Sequence, residues 1–415
     1  MISDCWSEED YQFVLRNVKR YLGLYMQASA TIEELRNVVT YLTKLENKEI
    51  DYLSTVHFLL SEEVKVFVDT VSKILRRFSH STQKENITHK GFVRGRIDWN
   101  MTIKQRCANG YDQTIFVCRP TSRIYNLPEN QLLKFVLVQI RRLIEDTAAL
   151  PTIEEKNISL AELKTADGKE KWTDRLSWLK YNVNNALKNI HLREVDLPEQ
   201  VDERMIRRAQ TARNKDYELA ADSYSVHQKL IQKIDKQALK EIIEKRVLEP
   251  FERDSLYELY VLFEVMDSLG EPKEISLIRP KAESIGTYEI DGETVRIYFQ
   301  KASGILEESK YTQIFEDYDI DVSLRRPDIV LKFEKSNRLL IIEVKRTRNT
   351  DYIVDSVYKV LGYLADFHKH FPLEQKPKGL LVVWNISRLK KTSQDIAIVG
   401  HDEIRDFVKE AVNTI

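Results

Sequence analysis

The sequence has few cysteines, and their arrangement excludes two classes of small stabilised domain. Its three cysteines are Cys5, Cys107 and Cys118, and no two of them form a CxxC pair. Cysteine-based zinc modules need clustered ligands, and disulfide frameworks need a larger, even set of cysteines. A zinc finger and a disulfide-stabilised secreted domain are therefore excluded, and a reducing compartment is expected.

Long apolar runs and an excess of either charge are also missing. No run approaches the roughly 18–20 apolar residues that cross a bilayer, and Asp4, Glu8, Glu9 and Asp10 are unlike a signal peptide. The net charge is -1, from 64 basic and 65 acidic residues. This balance neither indicates nor excludes nucleic-acid binding, which depends on local basic patches. We expect a cytoplasmic protein with no membrane association.

The uneven distribution of glycine and proline predicts three domains. Residues 24–90 contain neither residue type and show helical spacing of apolar side chains. Residues 1–90 are therefore predicted to form an all-α domain that acts as a sensor or docks a partner. Residues 91–250 are predicted to form a mixed middle domain, and residues 251–415 a C-terminal α/β domain.

The middle region has four recognisable segments. Residues 91–119, with Trp99 among them, are predicted to form short strands. A helix is expected to begin near Pro128, because proline suits the first helical turn. Residues 151–170 are polar and predicted to be a surface loop, and residues 199–249 are predicted to form one or two long helices.

The order of the C-terminal elements predicts a mixed sheet flanked by helices. Apolar periodicity divides this region in the order α-β-β-β-α-β, over residues 254–269, 294–300, 328–333, 338–345, 352–369 and 380–384. Strands and helices in this order are typical of a sheet covered by helices. The whole chain is therefore predicted to be a multidomain α+β protein.

One hairpin in this region brings three charged side chains together. Asp328 belongs to the only Pro-Asp pair of the chain, and Glu343 and Lys345 form a Glu-x-Lys sequence one strand later. With a polar turn over residues 334–337, antiparallel counting puts Asp328 opposite Glu343 on one face. Strand alternation puts Lys345 on that same face. Two carboxylates this close repel each other unless a cation lies between them.

These residue types suit phosphodiester hydrolysis with a divalent metal ion. Asp328, Glu343 and the backbone carbonyl of Val344 offer oxygen ligands for Mg²⁺, for which Mn²⁺ can substitute. Lys345 would orient a water molecule or neutralise charge that develops on the phosphate. Glu258, on the preceding helix, is a further candidate carboxylate. Flanking basic side chains offer phosphate contacts: Arg325, Arg326, Arg346, Arg348 and Lys359.

The Asp-Glu-x-Lys arrangement is the signature of the PD-(D/E)xK nuclease superfamily, which this sequence resembles. The helix predicted after the second strand, with Tyr358, Lys359 and Tyr363, is similar to the helix that follows the active-site strand there. The resemblance implies a restriction-endonuclease-like fold for residues 251–415 and a metal-dependent endodeoxyribonuclease. The alternative from the residues alone is a structural salt bridge between Lys345 and Glu343, although buried ion pairs stabilise only weakly.

Three further segments, within residues 91–385, resemble McrC-family restriction proteins: Gly95–Trp99, Leu127–Lys134 and Leu256–Tyr260. In that resemblance Glu258 is the helix carboxylate. The family implies an antiviral defence endonuclease driven by a separate AAA+ GTPase or ATPase, and this chain has no GxxxxGK[ST] motif of its own. The predicted helical start departs from the β-rich start of McrC proteins.

Two other functions remain open from the sequence. The same fold serves as the end-cutting nuclease of transposon machines, and a relic of it would serve as a non-catalytic scaffold or DNA-binding protein. Cutting both strands of DNA needs two sites, so a homodimer is an attractive assembly. Neither the DNA target nor the activating signal follows from the sequence.

Overall fold

A computed structural model describes most of the chain. The described residues are 6–25, 31–43, 45–147, 171–249, 251–275, 284–300, 314–315, 317–318, 326–368, 371, 376–384 and 394–413. They form two compact units. The described residues of the first, the sheet unit, fall within Met1–Leu53 and Lys236–Ile415. Those of the second, the helical unit, fall within Ser54–Pro151 and Ala161–Asp235.

The chain begins with three helices: α1 (Glu8–Tyr25), α2 (Ile32–Thr43) and α3 (Asn47–Leu59). The boundary between the two units falls within α3. Helix α1 is amphipathic and buries Val14, Leu15, Val18, Tyr21 and Leu22. This spacing of three and four residues is what produces one apolar helical face.

The helical unit continues with α4 and a small β region. Its elements are α4 (Glu62–Arg76), β1 (Ser81–Lys84), β2 (Ile87–Lys90), β3 (Arg96–Ile97), α5 (Trp99–Ala108), β4 (Ile115–Arg119) and β5 (Thr121–Ile124). Strands β1 and β5 form a two-stranded ribbon, and β2, β4 and β3 form a three-stranded sheet in that order. Asp98 caps α5 by accepting from the Met101 amide at 3.1 Å.

The rest of the helical unit consists of helices. They are α6 (Pro128–Thr147), α7 (Trp172–Leu187), α8 (Ile190–Arg193), α9 (Glu203–Gln210) and α10 (Glu218–His227). Buried apolar side chains of α6 recur at helical spacing, as in Leu133, Val136, Leu137 and Ile140. Helix α6 packs against α7, α9 and α10. The predicted helix start near Pro128 is confirmed.

Among the described residues, the sheet unit resumes with two helices, followed by five strands, one helix, two strands and a last helix. The helices are α11 (Lys236–Ile242), α12 (Arg253–Ser268), α13 (Thr350–Asp366) and α14 (Ile404–Asn413). The strands are β6 (Glu274–Ile275), β7 (Gly286–Ile290), β8 (Glu293–Phe299), β9 (Ile329–Phe333), β10 (Arg338–Lys345), β11 (Gly379–Val383) and β12 (Ile396–Gly400).

These seven strands form one mixed sheet in the order β12-β11-β10-β9-β8-β7-β6. Strands β6 to β10 pair antiparallel, whereas β10 with β11 and β11 with β12 pair parallel. Helix α13 leads from β10 to β11 and packs on both strands, as parallel neighbours require a crossover. The predicted mixed sheet flanked by helices is therefore present.

The structure corrects the predicted domain boundaries. Residues 81–84 and 87–90 are strands, so residues 1–90 are not all helical. The described residues among the first 53 group with the C-terminal sheet instead of forming a separate domain. The reason is tertiary packing: α1 lies on α12, where the Tyr21 ring stacks on Phe263 with centroids 5.7 Å apart. Absence of glycine and proline marks helices and does not mark where a domain ends.

Two predictions for the middle region are also corrected. Trp99 is the first residue of α5 and not part of a strand, because Asp98 begins a helix there. The residues 199–249 form several short helical segments rather than one or two long ones. Within them, π-helical turns over Gln228–Gln232 and Ile243–Leu248 follow α10 and α11. The predicted loop at 151–170 lies outside the described residues.

None of the helices in the described ranges is both long and apolar enough to cross a membrane.

Candidate active site

Strands β9 and β10 carry the predicted site and pair in the predicted register. Phe333 lies opposite Arg338, and Ile329 lies opposite Ile342. The ladder stops one step before the expected Asp328–Glu343 pair. Asp328 instead turns its side chain into the strand end, where Oδ2 accepts a hydrogen bond from the Val344 amide at 2.7 Å.

Glu343 lies at the centre of the site and is completely buried. It shares a face of β10 with Leu339 and Ile341, which belong to the apolar cluster under α13. Its Oε1 lies 2.6 Å from the ammonium nitrogen of Lys345 and 2.6 Å from that of Lys359. Its Oε2 has no hydrogen-bond partner among the residues that the structure describes. A buried carboxylate oxygen with unused lone pairs is costly and points to a missing ligand.

Lys345 connects the two carboxylates. Its Nζ lies 3.8 Å from Oδ2 of Asp328 and donates to the Val344 carbonyl at 2.9 Å, besides its ion pair with Glu343. Burial lowers the pKa of Lys345, but the negative charges of Asp328 and Glu343 outweigh burial and hold it above its ordinary value. Lys345 therefore stays protonated.

Asp328 is buried, with 9% of its surface exposed. Burial, followed by the charges of Glu343 and Glu258, raises the pKa of Asp328 to about 8, although Lys345 and the Val344 amide act in the opposite direction. Carboxylates crowded in an apolar setting resist ionisation together. A cation that neutralises such a carboxylate therefore stabilises its ionised form.

Glu258 on α12 joins the site through a residue that the sequence analysis did not single out. Gln300 donates from Nε2 to Oε2 of Glu258 at 2.6 Å, and its backbone amide donates to the Asp328 carbonyl at 2.8 Å. Burial raises the pKa of Glu258, against the hydrogen bond from Gln300 and the charge of Lys345. Gln300 has a φ of 46°, in the left-handed region that side chains rarely adopt. The sequence signal was a polar residue directly after the apolar end of β8.

Helix α13 supplies the other side of the site. Asn349 caps it by accepting from the Asp351 amide at 2.9 Å, so the helix begins soon after β10 ends. Lys359 and Tyr363 lie one turn apart on one helical face. The Lys359 ammonium lies on Glu343, and the Tyr363 hydroxyl donates to the Arg326 carbonyl at 2.7 Å. Lys359, predicted to contact phosphate, is thus part of the carboxylate site itself.

The flanking arginines differ in how exposed their side chains are. Arg346 lies 2.5 Å from Oδ1 of Asp254 and over the Trp6 ring at 5.1 Å, with 16% of its side chain exposed. These contacts argue against the predicted phosphate role for Arg346. Arg348 is more open, with Nη2 3.5 Å from Oδ2 of Asp10 and 48% of its side chain exposed.

Two arginines precede Asp328. Arg326 is exposed and donates weakly to the Gln300 carbonyl at 3.4 Å. Arg325 lies outside the described residues. Arg326 and Arg348 are therefore the described arginines whose placement suits phosphate contact.

The residues present suit a small divalent cation in part. Within the described ranges, no group of three or more His, Cys, Asp and Glu side chains is assembled as a metal site. The unused Oε2 of Glu343 and the neighbouring carboxylate of Asp328 are nevertheless hard oxygen donors, the type that Mg²⁺ takes together with several water molecules. Glu258 is turned toward Gln300. The predicted pair Asp328 and Glu343 fits the ion better than a set of three carboxylates does.

Comparison with known proteins gives little information about what this chain does. No protein-family model matches it, and no curated protein does. Among solved structures, it is similar to a half-complex from a tetradecameric assembly of Thermococcus gammatolerans McrB AAA+ hexamers with bound McrC. The match covers 99% of this chain and 78% of that chain, with 10% identity and a TM-score of 0.27. A similarity this low carries no argument about the site.

Proposed function

We propose that the sheet unit is a metal-dependent endonuclease that hydrolyses DNA phosphodiester bonds. The observation that supports this most is Glu343, a completely buried carboxylate with an unused oxygen beside the second buried carboxylate of Asp328. Ammonium groups from a strand and a helix converge on the same carboxylate. This combination of hard oxygen donors and cations suits the binding and cleavage of a phosphodiester.

Each residue has a distinct role in this proposal. Asp328, Glu343 and the Val344 carbonyl would hold Mg²⁺ or Mn²⁺, which supplies a bound water of lowered pKa and stabilises charge on the phosphate. Lys345 stays protonated and neutralises charge that develops on the phosphate oxygens. Lys359 holds Glu343 in place from α13, and Gln300 holds Glu258 beside the Asp328 backbone.

We further propose a biological setting from the similarity of the sequence to McrC-family proteins. The chain would act in the cytoplasm as the effector of a restriction-type antiviral defence system. A separate AAA+ GTPase or ATPase would drive it, and a homodimer would present two sites to the two DNA strands. An end-cutting nuclease of a transposon machine would use the same site.

A structural ion-pair network is the competing role, and one observation favours it. The ammonium groups of Lys345 and Lys359 already pair with Glu343 at 2.6 Å. In that case the carboxylates would bind no metal, and Glu343→Gln would leave the ammonium groups of Lys345 and Lys359 without their shared carboxylate. Removing one partner of a buried ion pair typically costs about 3–5 kcal/mol.

The decisive experiment combines plasmid cleavage in Mg²⁺ or Mn²⁺ with calorimetric metal titration. Glu343→Gln should abolish both cleavage and metal binding. Lys345→Ala should abolish cleavage but retain metal binding, because an ammonium group is not a metal ligand. Lys332→Ala is the matched control, since Lys332 lies on β9 and pairs with Glu334 at 3.8 Å, away from the site. Full cleavage by Lys345→Ala, or no metal uptake by the unmodified chain, would show that the network is structural.

A further inference from the structure

The β region of the helical unit is unusually exposed. Every residue of β1 is exposed, so both faces of the ribbon that β1 forms with β5 are open along that strand. In β5, Thr121, Ser122 and Arg123 are also exposed. An isolated two-stranded ribbon is at best marginally stable in water. A ribbon with so little burial is expected to be stabilised by a binding partner.

The side chains of this ribbon favour a polyanion as that partner. The pairs Thr82 with Arg123 and Lys84 with Thr121 lie opposite each other and therefore share one face. Neither strand contains an acidic residue. Hydroxyl, lysine and arginine side chains are those that contact phosphate oxygens in nucleic-acid complexes.

The surrounding segment is strongly basic, although the whole chain is nearly neutral. Residues 81–124 contain eight Lys and Arg against three Asp and Glu. Two of the acidic residues are already neutralised, Asp112 by Lys90 at 2.8 Å and Asp98 by Arg119 at 2.6 Å. Exposed cations without an acidic partner among the described residues remain: Lys84, Arg94, Arg96, Lys104 and Arg123. Uncompensated positive charge in one exposed segment attracts phosphate backbones.

We propose that the β1/β5 ribbon and its neighbouring cations form a nucleic-acid-binding surface in the helical unit. Lys84 and Arg123 contact backbone phosphates, and the polar face of the ribbon lies along a groove, into which a two-stranded ribbon fits. The metal site is not needed for this binding, so the surface is testable even if the chain cuts no DNA.

The test is binding of the full chain to a short fluorescein-labelled DNA duplex in EDTA, measured by anisotropy across a range of NaCl concentrations. Lys84→Gln with Arg123→Gln should weaken binding and reduce the slope of log affinity against log salt by about two, since each phosphate contact contributes roughly 0.9. The matched control is Arg141→Gln with Arg142→Gln. It removes the same charge from α6 in the same unit, where both arginines pair with carboxylates. The control should leave the slope unchanged.

The proposal would be overturned by an unchanged slope in the ribbon variant, by an equal loss in both variants, or by no binding of the unmodified chain. The conservative variant Lys84→Arg with Arg123→Lys separates charge from folding, because it should retain both affinity and slope. A loss of binding there would mean that the ribbon is a structural element and that the phosphates lie elsewhere. The titration is then repeated with single-stranded DNA. Groove contact predicts tighter binding to the duplex, whereas tighter binding to the single strand would indicate contact through bases and would contradict the groove geometry.

Discussion

Two glycine-to-alanine substitutions in the sheet unit should change its stability in opposite directions. Gly379 begins β11 beneath α13, and a Cβ atom there would lie 2.6 Å from Cγ1 of Val360. Val360 is fully buried on the helix, and a β-branched side chain in a helix has one strongly preferred rotamer. The collision therefore forces α13 away from the sheet. Overpacking of this kind costs about 1–3 kcal/mol.

Gly362 is the matched position, because it lies two residues after Val360 on the exposed side of α13. A Cβ atom there meets nothing within 4 Å, and the backbone is helical. Alanine in a helix interior is more stable than glycine by about 0.5–1 kcal/mol. Gly362→Ala should therefore raise the free energy of unfolding, and Gly379→Ala should lower it. The two variants should differ by about 1.5–4 kcal/mol.

Urea denaturation of the two variants and of the unmodified chain measures this difference. Val360→Ala removes the colliding methyl group, so adding it to Gly379→Ala should cost less than the sum of the two single changes. Contacting residues commonly couple by about 0.5–3 kcal/mol. Because α13 also carries Lys359 and Tyr363, Gly379→Ala should reduce cleavage as well. Equal stability of the two glycine variants would refute the close packing of α13 on β11.

Four other predictions follow from particular contacts. In metal-free buffer, the pKa of Asp328 is raised to about 8. The contribution of Asp328 to stability is therefore present below pH 3.8 and is lost as pH rises through 8. Asp328→Asn should remove this loss in thermal melts across that pH range. Burial lowers the pKa of His227 to about 4, so stability should fall as pH drops from 6.5 toward 4; His227→Gln should flatten that dependence, and an unchanged profile would contradict it. Tyr363→Phe removes a hydrogen bond of 2.7 Å to the Arg326 carbonyl. The loss should lower the free energy of unfolding by about 0.5–1.5 kcal/mol in urea melts and should reduce cleavage. Full activity would show that the site does not need this hydrogen bond. A chain that begins at residue 54 should fail to give a cooperative melt for the sheet unit, because α1 covers α12. A melt like that of the full chain would instead show that the N-terminal residues are separable, as the sequence predicted.

The sequence alone predicted the hairpin that carries the site, because its signals are local. A polar turn between two apolar strands determined which residues pair, and Phe333 opposite Arg338 confirms the register. Strand alternation then placed Glu343 and Lys345 on one face. The helix after β10 was also predicted, although it begins at Thr350 and ends at Asp366 rather than covering 352–369.

What the sequence could not predict depends on contacts between distant residues. Neither the packing of α1 on α12 nor the grouping of residues 1–53 with the C-terminal sheet has a local signal. Gln300 enters the site because a left-handed backbone turns it toward Glu258, and a glutamine gives no hint of that conformation. The charge partner of Arg346, Asp254, is likewise 92 residues away in the chain.

The discontinuous sheet unit has a consequence for synthesis on the ribosome. Its first 53 residues emerge early, but their packing partners begin at Lys236. At about 5–20 residues per second, the intervening ~180 residues take roughly 10–40 s to translate. During that interval the apolar face of α1 lacks α12, the helix on which it packs, whereas the helical unit can complete its own core. Asp328 and Glu343 come together only after β10 has been made, so a nascent chain that stops before this strand would lack the paired carboxylates.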